Sequence, residues 1–488
     1  MSELESYLST IGPDLQNMTR LFGLPDSVWE HPVFSYTVRE EHGQFFCVFR
    51  DETRQVEGHA PVPEMTGDAR LDLLHRKRVL RRLCRQTLYD LLRVRTGMHP
   101  PWGSMTGIRP TRLMVEALEG GKSFEEAEAD LIRHFDLIPR KAALLSRVVR
   151  FQQTMLQPDD GIVDVYIGIP FCTTRCAYCT FSSGELGNGK LVEPYIRALC
   201  NEMQAGRDVI RESGKTVRAI YMGGGTPTAL SAPQLDRVLT CARECFPGAM
   251  EWTVEAGRPD TITRDKLQVI LDHGTGRISI NPQTMSDRTL QIIGRNHTGG
   301  DVVRAYELAR EMGFGHINMD VIAGLPGEGL DDFAHTMEWA EKLRPESLTV
   351  HTLAIKRTSR MQMEGASLPD AQTAAAMVDL GEKTAAGMGL EPYYLYRQKQ
   401  MAGNLENVGY ALPGHGCQYN VDIMEEQSHI LAFGAGGISK RIFPEEGHIE
   451  RAPNVANIET YIERWQEMAE RKRQLFSETA PVGTQTEA

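Results

Sequence analysis

The chain has 488 residues, of which 41% are hydrophobic and 24% charged, with a net charge of −12. That length exceeds one ordinary core, and the composition is that of a soluble globular protein with more than one domain. The acidic balance excludes non-specific nucleic-acid binding as the main role. No run reaches the roughly 18 apolar residues a spanning helix needs, so stable membrane insertion is not expected. Nine cysteines without framework spacing, and a polar Met1–Gln16 segment without an apolar signal core, point to a reducing cytoplasm.

Residues 1–155 read as an accessory α+β domain. Phe34–Val38 and Gln44–Arg50 have the pattern of two strands around Glu41–Gly43. An amphipathic basic helix is predicted over Arg70–Arg95, with Leu71, Leu74, Val79, Leu83 and Leu88 near helical spacing. Its arginines are read as a solvated face. Residues 160–390 alternate short apolar runs with helical stretches. Strands are predicted at Val163–Ile169, Ala219–Met222, Trp252–Glu255, Arg277–Asn281, Ile317–Ile322 and Ser347–Leu353. Helices are predicted at Val192–Glu212, Ala232–Cys245 and Asp301–Met312. Repeated βα units predict an α/β fold, an incomplete (β/α)6 barrel with chemistry beyond the C-terminal ends of its strands. Residues 391–475 form a C-terminal extension, and 476–488 a polar disordered tail.

The chemistry concentrates after the first barrel strand, in Cys172-Thr-Thr-Arg-Cys176-Ala-Tyr178-Cys179. Three thiolates in eight residues leave a four-iron cluster one ligand short, and the iron without a thiolate can bind a small molecule. An electron-transfer ferredoxin uses four cysteines and a structural zinc site four closed ligands. Tyr178 within the loop can shield the cluster from water. Gly223-Gly-Gly-Thr-Pro follows the second strand, where glycine lets the backbone approach a ligand. Glu255 ends the third strand; its carboxylate can meet a ribose diol or an ammonium, or pair with Arg258. Gln283 lies past the fourth, Arg295 can fork onto a carboxylate, and Asp320 inside the fifth is costly unless paired or bound to ligand.

These segments resemble the radical S-adenosylmethionine enzymes of the oxygen-independent coproporphyrinogen III oxidase (HemN-like) family, and within it the long coproporphyrinogen dehydrogenase (HemZ-type) branch. The likeness rests on Tyr166-Ile-Gly-Ile-Pro-Phe-Cys172, the cysteine loop, Gly-Gly-Gly-Thr-Pro, Arg277-Ile-Ser with Gln283, Gly294-Arg-Asn-His297 and Asp320 before Gly-Leu-Pro326. Branch-level signs are Met105–Thr111, Tyr394–Lys399, Asn404–Tyr410 and Leu431–Ser439. The resemblance implies that Cys172, Cys176 and Cys179 ligate a [4Fe–4S] cluster. It implies that Tyr166, Gly224 and Glu255 meet one S-adenosylmethionine, while Gly225, Thr226, Gln283, Arg295, Asp320 and Ala354 surround a second. Two departures stand out: Gly168 occupies a position that is usually His in the better-studied branch, and the family's N-terminal Pro-Arg-Tyr-Thr segment is missing.

The implied reaction is cleavage of S-adenosylmethionine to a 5′-deoxyadenosyl radical, hydrogen abstraction from a propionate β-carbon, and loss of CO2 and one electron to give a vinyl group. Two such events turn coproporphyrinogen III into protoporphyrinogen IX. The expected partners are this tetrapyrrole substrate and an electron donor such as flavodoxin or ferredoxin. Four propionates require a local basic pocket, and Arg397, Lys399 and Arg109 are its candidates; the tyrosines beside Arg397 can pack against the macrocycle. Arg109 can equally pin the accessory domain to the barrel. Related proteins are haem chaperones, and His415, Cys417, His429 and Tyr410 are the residues that would serve as haem ligands in that reading. A third reading is radical chemistry on another tetrapyrrole.

Overall fold

The computed structural model describes residues 10–30, 33–107, 109–156, 159–181, 183–354, 368–398, 401–443 and 448–477. The expected tail at 476–488 therefore lies, past Ser477, outside the described residues. The chain forms two compact units. One comprises Met1–Ser146 with Arg397–Leu405; the other comprises Arg147–Tyr396 with Glu406–Ala488.

The first unit holds an antiparallel sheet of β1 (Ser35–Glu41), β2 (Gln44–Arg50) and β3 (Gln55–Pro61). His42 and Gly43 both take positive φ, 51° and 73°, the backbone a two-residue hairpin turn demands. Phe45, Cys47 and Phe49 alternate onto the buried face of β2. They pack with Leu80, Leu83, Leu88 and Leu92 of the helix Ala69–Thr96. β3 was not foreseen, because Gln-Val-Glu-Gly-His-Ala-Pro is a polar edge strand without a strong apolar rhythm. Its Gly58 lets Thr87 of the helix press against the strand backbone. The helix arginines are paired rather than simply solvated: Arg76 with Glu40 (2.5 Å), Arg81 with Asp14 (2.8 Å), Arg93 with Asp136 (3.0 Å) and Arg95 with Asp51 (3.0 Å). They tie the helix to its own unit.

The second unit is built on six adjacent parallel strands: β4 (Ile162–Ile169), β7 (Thr216–Gly224), β8 (Glu251–Gly257), β9 (Arg277–Ile280), β10 (His316–Ala323) and β11 (Ser347–Thr352). Two short strands, β5 (Phe171–Cys172) and β6 (Gly184–Glu185), pair beside the cysteine loop. Val192–Glu212, Ala232–Cys245, Arg264–Asp272, Gly299–Glu311 and Leu330–Leu343 are the crossover helices. Capping boxes set the starts of Ala232–Cys245 and Gly299–Glu311. Thr298 and Asp301 form a capping box, so the helix predicted from Asp301 begins at Gly299. The C-terminal residues extend the same sheet at both edges. β12 (Glu391–Tyr396) and β13 (Asn407–Ala411) add antiparallel strands beyond β11. β14 (His429–Phe433) lies parallel to β4, followed by β15 (Ile438–Phe443) and β16 (His448–Pro453). The result is the expected α/β incomplete barrel. Among the described residues no helix is long and apolar enough to cross a membrane.

The last helix, Ile458–Phe476, is fastened by a charge pair with no solvent exposure. Glu202 accepts from Lys472 (2.6 Å), Asn454 (2.8 Å), the Gly434 amide (2.8 Å) and the Tyr461 hydroxyl. Every lone-pair direction of this carboxylate that matters has a donor, as a buried charge requires.

Candidate active site

The cysteine loop hangs from the C-terminal end of β4 and is held by backbone and side-chain bonds, most of which do not involve sulfur. Gly225 and Thr226, after β7, donate their amides to the carbonyls of Ile169 (2.7 Å) and Phe171 (2.8 Å). Leu186 donates to the Cys172 carbonyl (2.7 Å), and Ala177 to that of Ile293 (3.0 Å). Thr174 donates its hydroxyl to the Gly294 carbonyl (3.0 Å), and Thr173 to Asp260 (3.0 Å). Tyr178 and Ala177 pack with Leu290, Ile293, Ile322, Leu325 and Leu353, which gives the loop an apolar seat.

Arg258 is a site residue that the sequence reading assigned elsewhere. It does not pair with Glu255. Its guanidinium forks onto Asp260 (3.1 and 3.2 Å), donates to the Thr174 carbonyl (2.9 Å) and stands 3.9 Å from the Cys176 sulfur. Burial alone would raise the Asp260 carboxyl; His297 and Arg258 hold it well below the usual carboxylate range. The clamp keeps one guanidinium beside the thiols while Asp260 neutralises its charge. The pair Arg258 and Asp260 sits one turn past β8, a local signal too short to separate from a surface ion pair.

The three thiols are half-buried. Burial pushes the Cys172 and Cys179 thiols up; hydrogen bonds from Thr226 and Ser183 to Cys172, and from Phe181 and Ser183 to Cys179, work against it, and the neighbouring cysteines add to it. A bound cation-rich centre would reverse that shift. Among the described residues no three His, Cys, Asp or Glu side chains are close enough to hold a single metal ion. The glycines mark where a ligand and the loop need room. A Cβ on Gly225 would stand 2.7 Å from the Phe171 carbonyl and 3.0 Å from the Cys172 sulfur; one on Gly223 would stand 2.6 Å from the Glu255 carboxylate. Gly224 takes φ 109°, which L side chains avoid.

Around this loop the structure gathers the other predicted positions of the barrel. Tyr166 of β4 stacks with Tyr221 (6.5 Å between centroids) and Tyr419 (6.3 Å), lining the lumen with aromatic faces. Arg295 is buried, donates to the Asn281 carbonyl (2.7 Å) and reaches the Tyr178 hydroxyl (3.4 Å). Gln283 holds φ 66°, fixed because its amide donates to Asp320 and its carbonyl accepts from Ile322 (both 2.9 Å); a strained non-glycine residue held this firmly presents its side chain in one direction. Gln283 Oε1, Asn281 Oδ1 and Arg295 Nε are buried without a hydrogen bond, which fits a polar ligand at this rim. Asp320 accepts from Asn318 (2.8 Å) and faces His351 (3.7 Å), so its cost in an apolar strand is met. Ala354 follows β11 and is half-buried. The donor set and the glycine cradle thus suit a thiolate-held cluster with a polar, amino-acid-bearing ligand beside it.

Glu255 differs from Asp320. Burial, then repulsion from Asp320, pushes its carboxyl up to about 8, so it carries a proton at neutral pH. The folded chain keeps that proton where the unfolded chain, near its ordinary 4.5, has released it. Stability from this group is therefore full below about 4.5 and is lost as pH rises through about 8. Glu255→Gln should remove this slope. Urea unfolding of both proteins across that window should show the variant gaining relative stability as pH rises; parallel curves would place the Glu255 proton elsewhere.

The substrate candidates belong to other parts of the chain. Lys399 lies outside the described residues. Arg109 is half-buried and Arg397 buried, and both belong to the first unit. Arg397 donates to the carbonyls of Met105 and Asn404 (3.0 Å) and lies over the Trp102 ring (5.0 Å). Arg397→Ala should cost about 2–3 kcal/mol through two lost charged hydrogen bonds, read by denaturant unfolding. Unaltered stability with uncoupled deoxyadenosine formation would return Arg397 to the substrate.

The Leu431–Ser439 segment, singled out in the sequence without a role, contains the loop after β14. Gly434–Gly437 packs against Gly168: the Tyr195 hydroxyl donates to the Gly168 carbonyl (2.7 Å) and accepts from the Ala435 amide (3.1 Å). A Cβ on Gly168 would meet the Phe433 carbonyl at 3.2 Å, so this contact leaves little room for a side chain at position 168.

Comparison with known proteins agrees with this geometry. The model of the Radical SAM superfamily matches residues 166–340. The chain is 41% identical over 404 residues, 80% of each chain, to the oxygen-independent coproporphyrinogen-III oxidase-like protein HemZ of Bacillus subtilis (strain 168). It is 30% identical over 285 residues to the heme chaperone HemW of Escherichia coli (strain K12), covering 58% of this chain and 71% of that one. The solved structure of coproporphyrinogen III oxidase (HemN) from Escherichia coli shares the fold, with a TM-score of 0.51 and 22% identity over 66% of this chain and 72% of that one. The chain belongs to the HemN/HemZ/HemW family of radical SAM proteins, whose cofactors are a [4Fe–4S] cluster and S-adenosylmethionine.

Proposed function

We propose that this protein catalyses the oxygen-independent oxidative decarboxylation of coproporphyrinogen III to protoporphyrinogen IX. The observation that carries the reading is the span of the HemZ likeness, which takes in 80% of this chain where the HemW likeness takes in 58%. A second observation weighs against haem carriage. His429 spends both ring nitrogens, one toward Asp160 (2.9 Å) and one accepting from the Ile442 amide (3.1 Å). Cys417 is buried and donates to Glu251 (3.3 Å). Tyr410 is buried in β13, and His415 lies against His316 (5.2 Å between rings).

In this reading Cys172, Cys176 and Cys179 ligate the cluster. When bound and reduced, the cluster supplies the electron that cleaves S-adenosylmethionine to methionine and a 5′-deoxyadenosyl radical. Gly224 brings backbone to the methionine end, with Tyr166 and protonated Glu255 beside it. Gly225, Thr226, Gln283, Arg295, Asp320 and Ala354 are the positions for a second S-adenosylmethionine. Tyr166 and Tyr221, half-buried and stacked on each other and on buried Tyr419, give an apolar aromatic wall that would keep water from the reacting C–H bond. A flavodoxin or ferredoxin in the cytoplasm is the electron donor this chemistry calls for.

The test is anaerobic incubation of reconstituted protein with reductant, S-adenosylmethionine and coproporphyrinogen III, followed by product analysis. Vinyl products with matching deoxyadenosine are expected. Tight haem binding without any vinyl product would favour a chaperone.

A further inference from the structure

Outside the cluster loop, three cysteines meet on the helical layer of the barrel. Cys200 lies on the helix Val192–Glu212, and Cys241 and Cys245 lie on Ala232–Cys245. Near their starts these helices are joined where Glu193 accepts from Gln234 (2.9 Å) and Arg237 (2.6 Å). Two helical turns further along each, seven residues on, the same two faces meet again as Cys200 and Cys241. The Cys241 thiol donates to the Cys200 carbonyl at 3.7 Å, which brings its sulfur against Cys200, and Cys245 stands one turn further along the Cys241 helix. Cys200 is half-exposed, while Cys241 and Cys245 are buried. Cys200 is therefore the most exposed of the three residues.

We propose that Cys200, Cys241 and Cys245 form a thiol–disulfide exchange site, with Cys200 as the attacking sulfur, Cys241 as the resolving sulfur and a small-molecule disulfide as the oxidant. The Cys200 thiolate attacks the oxidant, breaking its sulfur–sulfur bond and releasing one thiolate. Cys241 then gives up its proton and attacks the mixed disulfide, forming the Cys200–Cys241 bond and expelling the second thiolate. Two electrons pass from the protein thiols to the oxidant, and both protein protons end on the departing thiols. Cys241 hydrogen-bonding, with Arg237 beside it, holds the Cys200 thiol below its ordinary value, which favours the attacking form.

Geometry selects the partner. Cys241 and Cys245 are one turn apart on a single helix, where Cβ atoms stand about 5–6 Å apart. A disulfide needs about 3.5–4.5 Å, so that pair cannot close without bending the helix. Cys200 approaches from the neighbouring helix and is free of this limit. Cys245 positions the Cys241 sulfur. The two helices lead out of the cysteine loop and the glycine loop respectively, so the bond would tie together the elements that follow both.

The experiment is anaerobic treatment of the reconstituted holoprotein with glutathione disulfide, alkylation of remaining thiols, and peptide mapping by mass spectrometry with cluster absorbance recorded in parallel. Peptides joined through Cys200 and Cys241, and separated again by a thiol reductant, are expected. Cys245→Ser should form the same bond, and Cys241→Ser should retain glutathione on Cys200. Free Cys200 and Cys241 after treatment, or a bond through Cys245, would overturn the proposal. These outcomes are independent of any porphyrin activity.

Discussion

Replacing Cys176 by alanine is expected to abolish the iron–sulfur charge-transfer absorbance and all deoxyadenosine formation while leaving the barrel folded. The loop does not depend on that sulfur for its shape. Thr173, Thr174, Ala177 and Leu186 hold it through Asp260, Gly294, Ile293 and Cys172 backbone or side-chain acceptors. The Arg258 guanidinium keeps its fork onto Asp260. A half-exposed thiol outside the packed core is worth roughly 1 kcal/mol or less on replacement, so thermal unfolding should barely move. The cluster would instead lose one of three anchors from a ligand set already one short. Iron and sulfide assays read the loss directly. Full iron and sulfide content in the variant would mean that another group ligates the cluster.

Much of the second unit was legible because its order is local. Val163–Ile169, Trp252–Glu255 and Ile317–Ile322 are apolar runs bounded by turn residues, and each lies within a strand of the barrel. Val192–Glu212 and Ala232–Cys245 coincide with helices because amphipathic spacing is local, and the second also has a capping box of Ser231 and Gln234. The cysteine spacing named the cofactor chemistry for the same reason. What escaped was carried by residues far apart in the chain. The contact of Thr173 with Asp260 and the seat of the Gly434–Gly437 loop on Gly168 appear only once the strands are ordered. β3 escaped because an edge strand needs only one apolar face, and a short polar one has hardly any. Arg397 misled for a related reason. An arginine beside tyrosines reads as a ligand for an anion, while in the fold Nη1 and Nη2 each donate to a backbone carbonyl, of Met105 and Asn404.

Lys472→Met is expected to be the most destabilising of the single changes considered, by about 3–5 kcal/mol, because it strands a buried carboxylate. Lys472 and Glu202 have no solvent exposure. The ammonium group donates to Glu202 (2.6 Å), Asn454 (2.7 Å) and the Met468 carbonyl (3.3 Å), so its three protons are placed. Methionine matches the length of the stem but supplies no charge, and Glu202 would be left with neutral donors alone. The pair also reaches the site. Glu202 accepts the Gly434 amide (2.8 Å), and the next residue, Ala435, is bound to Tyr195, which holds the Gly168 carbonyl at the end of β4. A shift of Glu202 toward water would therefore loosen the loop that closes over that strand end, and S-adenosylmethionine affinity should fall together with stability. The double variant Glu202→Gln with Lys472→Met separates charge from packing. It buries no ion, so it should recover a large part of the lost stability in denaturant unfolding. A single variant as stable as the parent would show that Glu202 does not need its cation, and a double variant no better than the single would assign the loss to packing of the last helix.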